Sequence, residues 1–105
     1  MSPHGKKLGL LISAAPSQPN FDHGLKLAEA ALASGVTVYL YCIYEAVPAV
    51  ADPRLQALKA RGLNLYACAF GAHRQKVQLD DRATFAGLSV VSELIASTDR
   101  FVSFH

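Results

Sequence analysis

The chain has two cysteines, Cys42 and Cys68, and one of them stands where a thiol could react. Cys68 lies in "NLYACAFGAH", where an apolar run gives way to glycine, alanine, histidine and arginine. This pattern predicts a buried strand that ends at the cysteine and a helical turn that begins there. The unpaired N–H groups and the dipole of a helix start favour an anion, and the thiolate is the reactive form of cysteine. His73 and Arg74 follow about one turn later and add positive potential if they face the sulfur. Cys42 differs: it sits inside "VTVYLYCIY", flanked by Tyr41 and Ile43, and reads as a small buried hydrophobe.

Other polar residues are supporting or pocket-lining candidates. Ser13 closes the first strand, His23 falls in the first turn of the first helix, and Glu45 follows the second strand. Asp80, Asp81 and Arg82 read as a solvated loop, His4 and His105 as idle termini. Tyr39 and Tyr41 are expected to reach the helix layers or a subunit contact. The sequence contains no CxxC pair, no zinc spacing, no GxGxxG and no GxxxxGK[ST], so no metal and no cofactor is expected. A flavin phosphate loop would need several hydroxyls after the first strand, and "SAAPSQPN" offers only Ser13 and Ser17.

These residues need elements to position them. Lys7 to Ser13 reads as a first strand. Asn20 is expected to cap a helix through Ser34, in which Phe21, Leu25, Ala28 and Leu32 share one face, and Gly35 stops it. Val36 to Tyr44 is the strongest strand signal, β-branched and aromatic. Asp52-Pro53 opens a short helix through Arg61 that buries Leu55 and Leu58. A third strand, Leu63 to Ala67, leads to Cys68, with a helical turn from about Ala69 to Gln75. A brief strand near Thr84 to Ala86, a helical stripe of Leu88, Val91, Leu94 and Ile95, and a last strand "RFVSF" complete the chain.

Strands apolar on both faces, each followed by a helix, predict a three-layer α/β/α sandwich. Its mostly parallel, flavodoxin-like sheet would have four to five strands. In such sheets ligands bind outside the carboxyl ends of the strands, so the loop after strand one, "EAVPAV" and Cys68 are expected to meet there. A flavodoxin-like order places strand one between strands two and three. That would set the cysteines about 9–10 Å apart, beyond the roughly 7 Å a disulfide spans.

The 105 residues are expected to form a single domain, 1–105, and 51% are hydrophobic against 17% charged, enough for a full core. A net charge of +2, carried by scattered basic residues, argues against nucleic acid. "MSPHGKKLGLLISAAPS" has the outline of a weak signal peptide, but its apolar run is short and interrupted by glycine, and a first strand is the simpler reading. No stretch approaches the length of a membrane span. A soluble, cytoplasmic protein in a reducing compartment is expected.

The order of elements, the cysteine in "GLNLYACAFGAHRQ" and the ending "STDRFVSF" together resemble the DsrE/DsrF-like family of small sulfur-relay proteins. The resemblance runs from "LGLLIS" to "RFVSF". It implies an α/β sandwich that assembles into oligomers, here a homo-oligomer, and a sulfurtransferase-like carrier. The cysteine of that family accepts sulfane sulfur as a persulfide and relays it between a protein donor and acceptor; carried over, that role belongs to Cys68. Many members have an acidic-glycine-valine turn after strand two; here Glu45 and Val47 are kept and Ala46 stands where glycine is common, while Gly71 and Ala72 stand where some members carry a second cysteine. A lone cysteine suits relay between proteins, since nothing nearby could resolve a disulfide. The alternative is a non-catalytic ligand-binding or regulatory oligomeric module in which Cys68 only lines the pocket.

Overall fold

Segments that are apolar on both faces can be satisfied only inside a sheet covered on two sides, and the chain builds one. The structure, a computed structural model, describes residues 5–105; His4 lies outside them. Five parallel strands form one sheet: β1 (Lys7–Ile12), β2 (Thr37–Cys42), β3 (Asn64–Cys68), β4 (Thr84–Ala86) and β5 (Arg100–Phe104). Between them run α1 (Pro19–Ala33), a 3-10 segment (Tyr44–Ala51), α2 (Pro53–Ala60), α3 (Ala69–Arg74) and α4 (Ser89–Ser97).

α1 and α2 cover one face. Phe21, Leu25 and Ala28 of α1 and Leu55 and Leu58 of α2 pack there on Leu10, Ile12, Val38, Leu40, Cys42, Leu65 and Ala67. On the other face Ala72 of α3 and Leu94 of α4 join Tyr41, Ile43, Val47 and Cys68. This is the expected three-layer α/β/α arrangement.

The strand order corrects one expectation. It runs β4-β3-β2-β1-β5, so β2, not β1, lies beside β3. Cys42 is the register partner of Ala67, one residue from Cys68. The thiols stay apart for a different reason from the one expected: successive strand residues point to opposite faces. Cys42 faces α1 and α2, Cys68 faces α3 and α4, and both are free thiols.

Local chemistry sets the boundaries. Asp52 caps α2 by accepting the Arg54 N–H at 2.8 Å, with Pro53 in the first turn as expected. Gln18, not Asn20, precedes α1, and its side chain makes no cap hydrogen bond to the helix. After α1 the Val36 N–H reaches the Ala31 carbonyl at 3.0 Å, and Gly35 takes the left-handed conformation (φ +84°) that this closure needs. "EAVPAV" is a 3-10 helix that buries Ala46, Val47, Ala49 and Val50, although Pro48 lies inside it. The α4 stripe is only partly buried. Val90, Val91 and Leu94 meet the sheet, whereas Leu88 and Ile95 lie about 90–110° around the helix from the middle of that arc and are 58% and 54% exposed. Among the described residues, no helix is long and apolar enough to cross a membrane.

Candidate functional site

Cys68 is at once the last residue of β3 and the N-cap of α3. Its Sγ accepts the Gly71 N–H at 3.4 Å. Gly71 makes that approach close: a Cβ there would stand 3.2 Å from Val47 Cγ2 and 3.7 Å from the sulfur. Cys68 is 7% exposed and lines a cavity of about 550 Å³. Tyr44, Phe70 and Leu88 form apolar walls, and Arg74 supplies the cation. The Arg74 guanidinium lies over the Phe70 ring, 5.8 Å from its centroid, which keeps both side chains at the rim.

Tyr44 is unusual on two counts. It is 69% exposed, and its φ of +54° lies in the left-handed region that glycine or asparagine usually occupies. The Gln75 side-chain amide donates to its carbonyl at 2.8 Å and ties this bend to the end of α3. Burial of the side chain does not offset the backbone cost at this position.

Beneath the thiol lies Tyr41, with no solvent exposure. It is the register partner of Tyr66 on β3, yet its hydroxyl donates to the Ala86 carbonyl of β4 at 3.0 Å. The side chain therefore crosses β3 on the face to which Cys68 projects. Burial first, and then the proximity of Cys68, push the Tyr41 hydroxyl well above the usual phenol range, while the hydroxyl itself donates to Ala86. On the other face, burial pushes the Cys42 thiol up to about 12.

The sequence-derived candidates divide into two groups. Arg74 joins Cys68 in the cavity lining. His73 and Glu45 are exposed nearby, on α3 and the 3-10 segment, outside the lining. Ser13 and His23 belong elsewhere, at the carboxyl end of β1, two strands away from β3. There Ser13 Oγ is 2.7 Å from His105 Nδ1, Asn20 donates to the His105 carbonyl at 2.7 Å, and His23 Nδ1 is 3.2 Å from Asn20 Oδ1. His105 is thus engaged, contrary to its reading as an idle terminus. The strand order reverses at β1, so this network occupies the crevice between β1 and β5. "EAVPAV" does reach Cys68, through Val47 against Gly71, but the loop after strand one does not.

Tyr41, Tyr44, Gln75 and Leu88 were not singled out from sequence as site residues. Tyr41 carries a signal once the register is known, since it shares a face with Cys68; the others depend on loop geometry. A separate concavity of about 400 Å³ lies at the amino ends of β1 and β5, lined by Lys6, Lys7 and Arg100, and holds none of the candidates. Among the described residues no three His, Cys, Asp or Glu side chains converge as metal ligands would.

No protein-family model matches the chain, and no curated protein is similar to it in sequence. Solved structures are similar in fold. The ychN protein from E. coli superposes with a TM-score of 0.82 at 17% identity, covering 94% of this chain and 99% of its own. A conserved protein of unknown function, BT1422 from Bacteroides thetaiotaomicron, superposes at 0.75 and 15% identity, covering 99% and 98% respectively. At these identities the likeness is one of fold, and the chain has the α/β/α fold of the ychN protein over nearly its full length.

Proposed function

We propose that the protein is a sulfur carrier that takes sulfane sulfur onto Cys68 and passes it to an acceptor. The observation that carries the reading is the placement of a single thiol at the floor of an apolar cavity, hydrogen-bonded by the Gly71 amide and turned away from the only other thiol. In the first step the Cys68 thiolate attacks the terminal sulfur of a donor persulfide, R–S–SH. A sulfur–sulfur bond forms to Cys68, the donor's own sulfur–sulfur bond breaks, and R–S⁻ leaves. An acceptor thiolate then attacks the outer sulfur of Cys68–S–SH and releases the Cys68 thiolate. No external oxidant or reductant is needed, because the transferred sulfur keeps its oxidation state.

The exposed rim of Tyr44, Phe70 and Leu88 is suited to protein donors and acceptors. The reading includes self-association, for which Leu88 and Ile95 offer exposed apolar area near the site. Sedimentation tests this point directly: a monomer at all concentrations removes it. Two free thiols go with a reducing, cytoplasmic setting.

The experiment is intact-protein mass after incubation with a polysulfide or a persulfide donor, comparing wild type, Cys68→Ser and Cys42→Ser. The expected result is a one-sulfur adduct, removed by reductant, retained in Cys42→Ser and lost in Cys68→Ser. Retention in Cys68→Ser, or an alkylatable Cys68 that never loads, sinks the assignment. The cavity volume of about 550 Å³ also falls in the range of small-ligand sites, which supports a second reading as a binding module. A ligand signal undiminished in Cys68→Ala would favour it.

A further inference from the structure

We propose that Tyr41 is a positioning residue for Cys68, its hydroxyl bonded to the Ala86 carbonyl while the sulfur is a neutral thiol and turned to the sulfur when the sulfur is an anion. This role rests on the reading of Cys68 as the reacting sulfur. The geometry starts from the strand register. Tyr41 leaves β2 level with Tyr66, and its hydroxyl bond to Ala86 ends on β4, two strands away. Two strand spacings make about 10 Å, roughly the reach of a tyrosine side chain plus one hydrogen bond, so the ring must lie across β3. Ala86 is the register partner of Cys68 itself. The phenol oxygen is therefore brought to the level of the cysteine, on the face that the thiol occupies.

A phenol has one proton to donate and lone pairs with which to accept. With a neutral thiol, the O–H satisfies the Ala86 carbonyl and the S–H, a weak donor, gains little from the phenol oxygen. With a thiolate or an anionic persulfide, rotation about the Cζ–Oη bond offers the same proton to sulfur as a charge-assisted hydrogen bond, the stronger of the two. No proton is transferred and no covalent bond changes; only the acceptor does. Tyr41 and Cys68 pack in the same cluster on this face, and the proximity of Cys68 adds to burial in raising the phenol above its usual range. Few ionisable groups compete. Tyr44 of the 3-10 segment and Arg74 of α3 line the cavity, His73 is on the exposed side of α3, Tyr66 of β3 packs in the same cluster, and β4 and α4 add no charged side chain to the lining.

The test is the pH profile of Cys68 alkylation by iodoacetamide, with the adduct located by peptide mapping. Tyr41→Phe conserves volume and is expected to move the profile to higher pH, slowing alkylation below the midpoint about threefold to tenfold. Tyr39→Phe, on the same strand face, is expected to leave it in place. 3-Fluorotyrosine at position 41 alone, a more acidic donor of nearly the same shape, is expected to move it the opposite way. That replacement decides the matter if Tyr41→Phe fails to fold. A profile that stays in place with both replacements overturns the proposal. Persulfide loading of the wild type is read separately. Normal loading with an unmoved profile removes Tyr41 alone, whereas a moved profile with no loading removes the sulfur assignment and keeps the hydroxyl–sulfur contact.

Discussion

Replacing each cysteine by serine is the same chemical change on opposite faces of one sheet, and the two outcomes are expected to diverge. Cys42 has no solvent exposure and sits between Ile12 on β1 and Ala67 on β3, where the neighbouring backbone groups are committed to the ladder. A serine hydroxyl there has no free partner, and burying one costs about 1–3 kcal/mol. Cys68 is the N-cap of α3 with the Gly71 N–H already directed at its side chain. Serine is among the best N-cap residues, so this exchange is expected to be neutral or to stabilise by up to about 1 kcal/mol. The gap between the variants is then about 2 kcal/mol, or roughly 10 °C in Tm for a domain of this size. Urea unfolding followed by circular dichroism reads it, with equal slopes required so that the midpoints can be compared. Equal losses in the two variants would refute the reasoning, since Cys68 would then be a packing residue no different from Cys42.

Other expectations concern the same frame. The Arg54 side chain, by its hydrogen bond, holds the Asp52 carboxyl below the usual carboxylate range. A depressed folded value means stability that is present above about pH 4 and lost as pH falls through the folded value; Asp52→Asn should flatten that slope in acid titrations of stability. Burial raises the Cys42 thiol from 9.0 to about 12, so stability should decline above pH 9 as the unfolded chain ionises first; Cys42→Ala should remove that part of the alkaline loss. Gly9→Ala would place a Cβ 2.5 Å from Phe101 Cδ2. A loss of about 1–3 kcal/mol is expected, less in a Phe101→Leu background, and additive losses in calorimetry would show that the two residues do not collide.

The layers were legible in the chain because their signals are local. "VTVYLYC" is apolar on both faces, Asp52-Pro53 marks a helix start, and Gly35 and Gly62 mark helix ends, each within a few residues. Strand order is not local. Right-handed crossovers of similar length permit β1 in the middle or β2 in the middle. The choice depends on α1 and α2 sharing a face, which no periodicity encodes. The expected separation of the cysteines holds, but the strand-spacing reason for it followed from that choice and does not. Cys68 and Arg74 could be placed at the site because both lie within the β3–α3 junction. Ser13 and His23 lie beyond the strand that was misplaced, so their distance from the sulfur could not be read. Tyr41 looked like another core aromatic, since its hydroxyl partner lies 45 residues further along the chain.

The pleat that turns Cys42 and Cys68 to opposite faces has a kinetic corollary. A thiol beside a persulfide would capture its inner sulfur, expel hydrosulfide and leave a dead-end disulfide. Here the nearest thiol in the chain stands behind a wall of backbone, with no route to the sulfur except unfolding. If Cys68 carries sulfur as proposed, that cargo would have no internal drain, and its residence time would be set by solvent and visiting molecules.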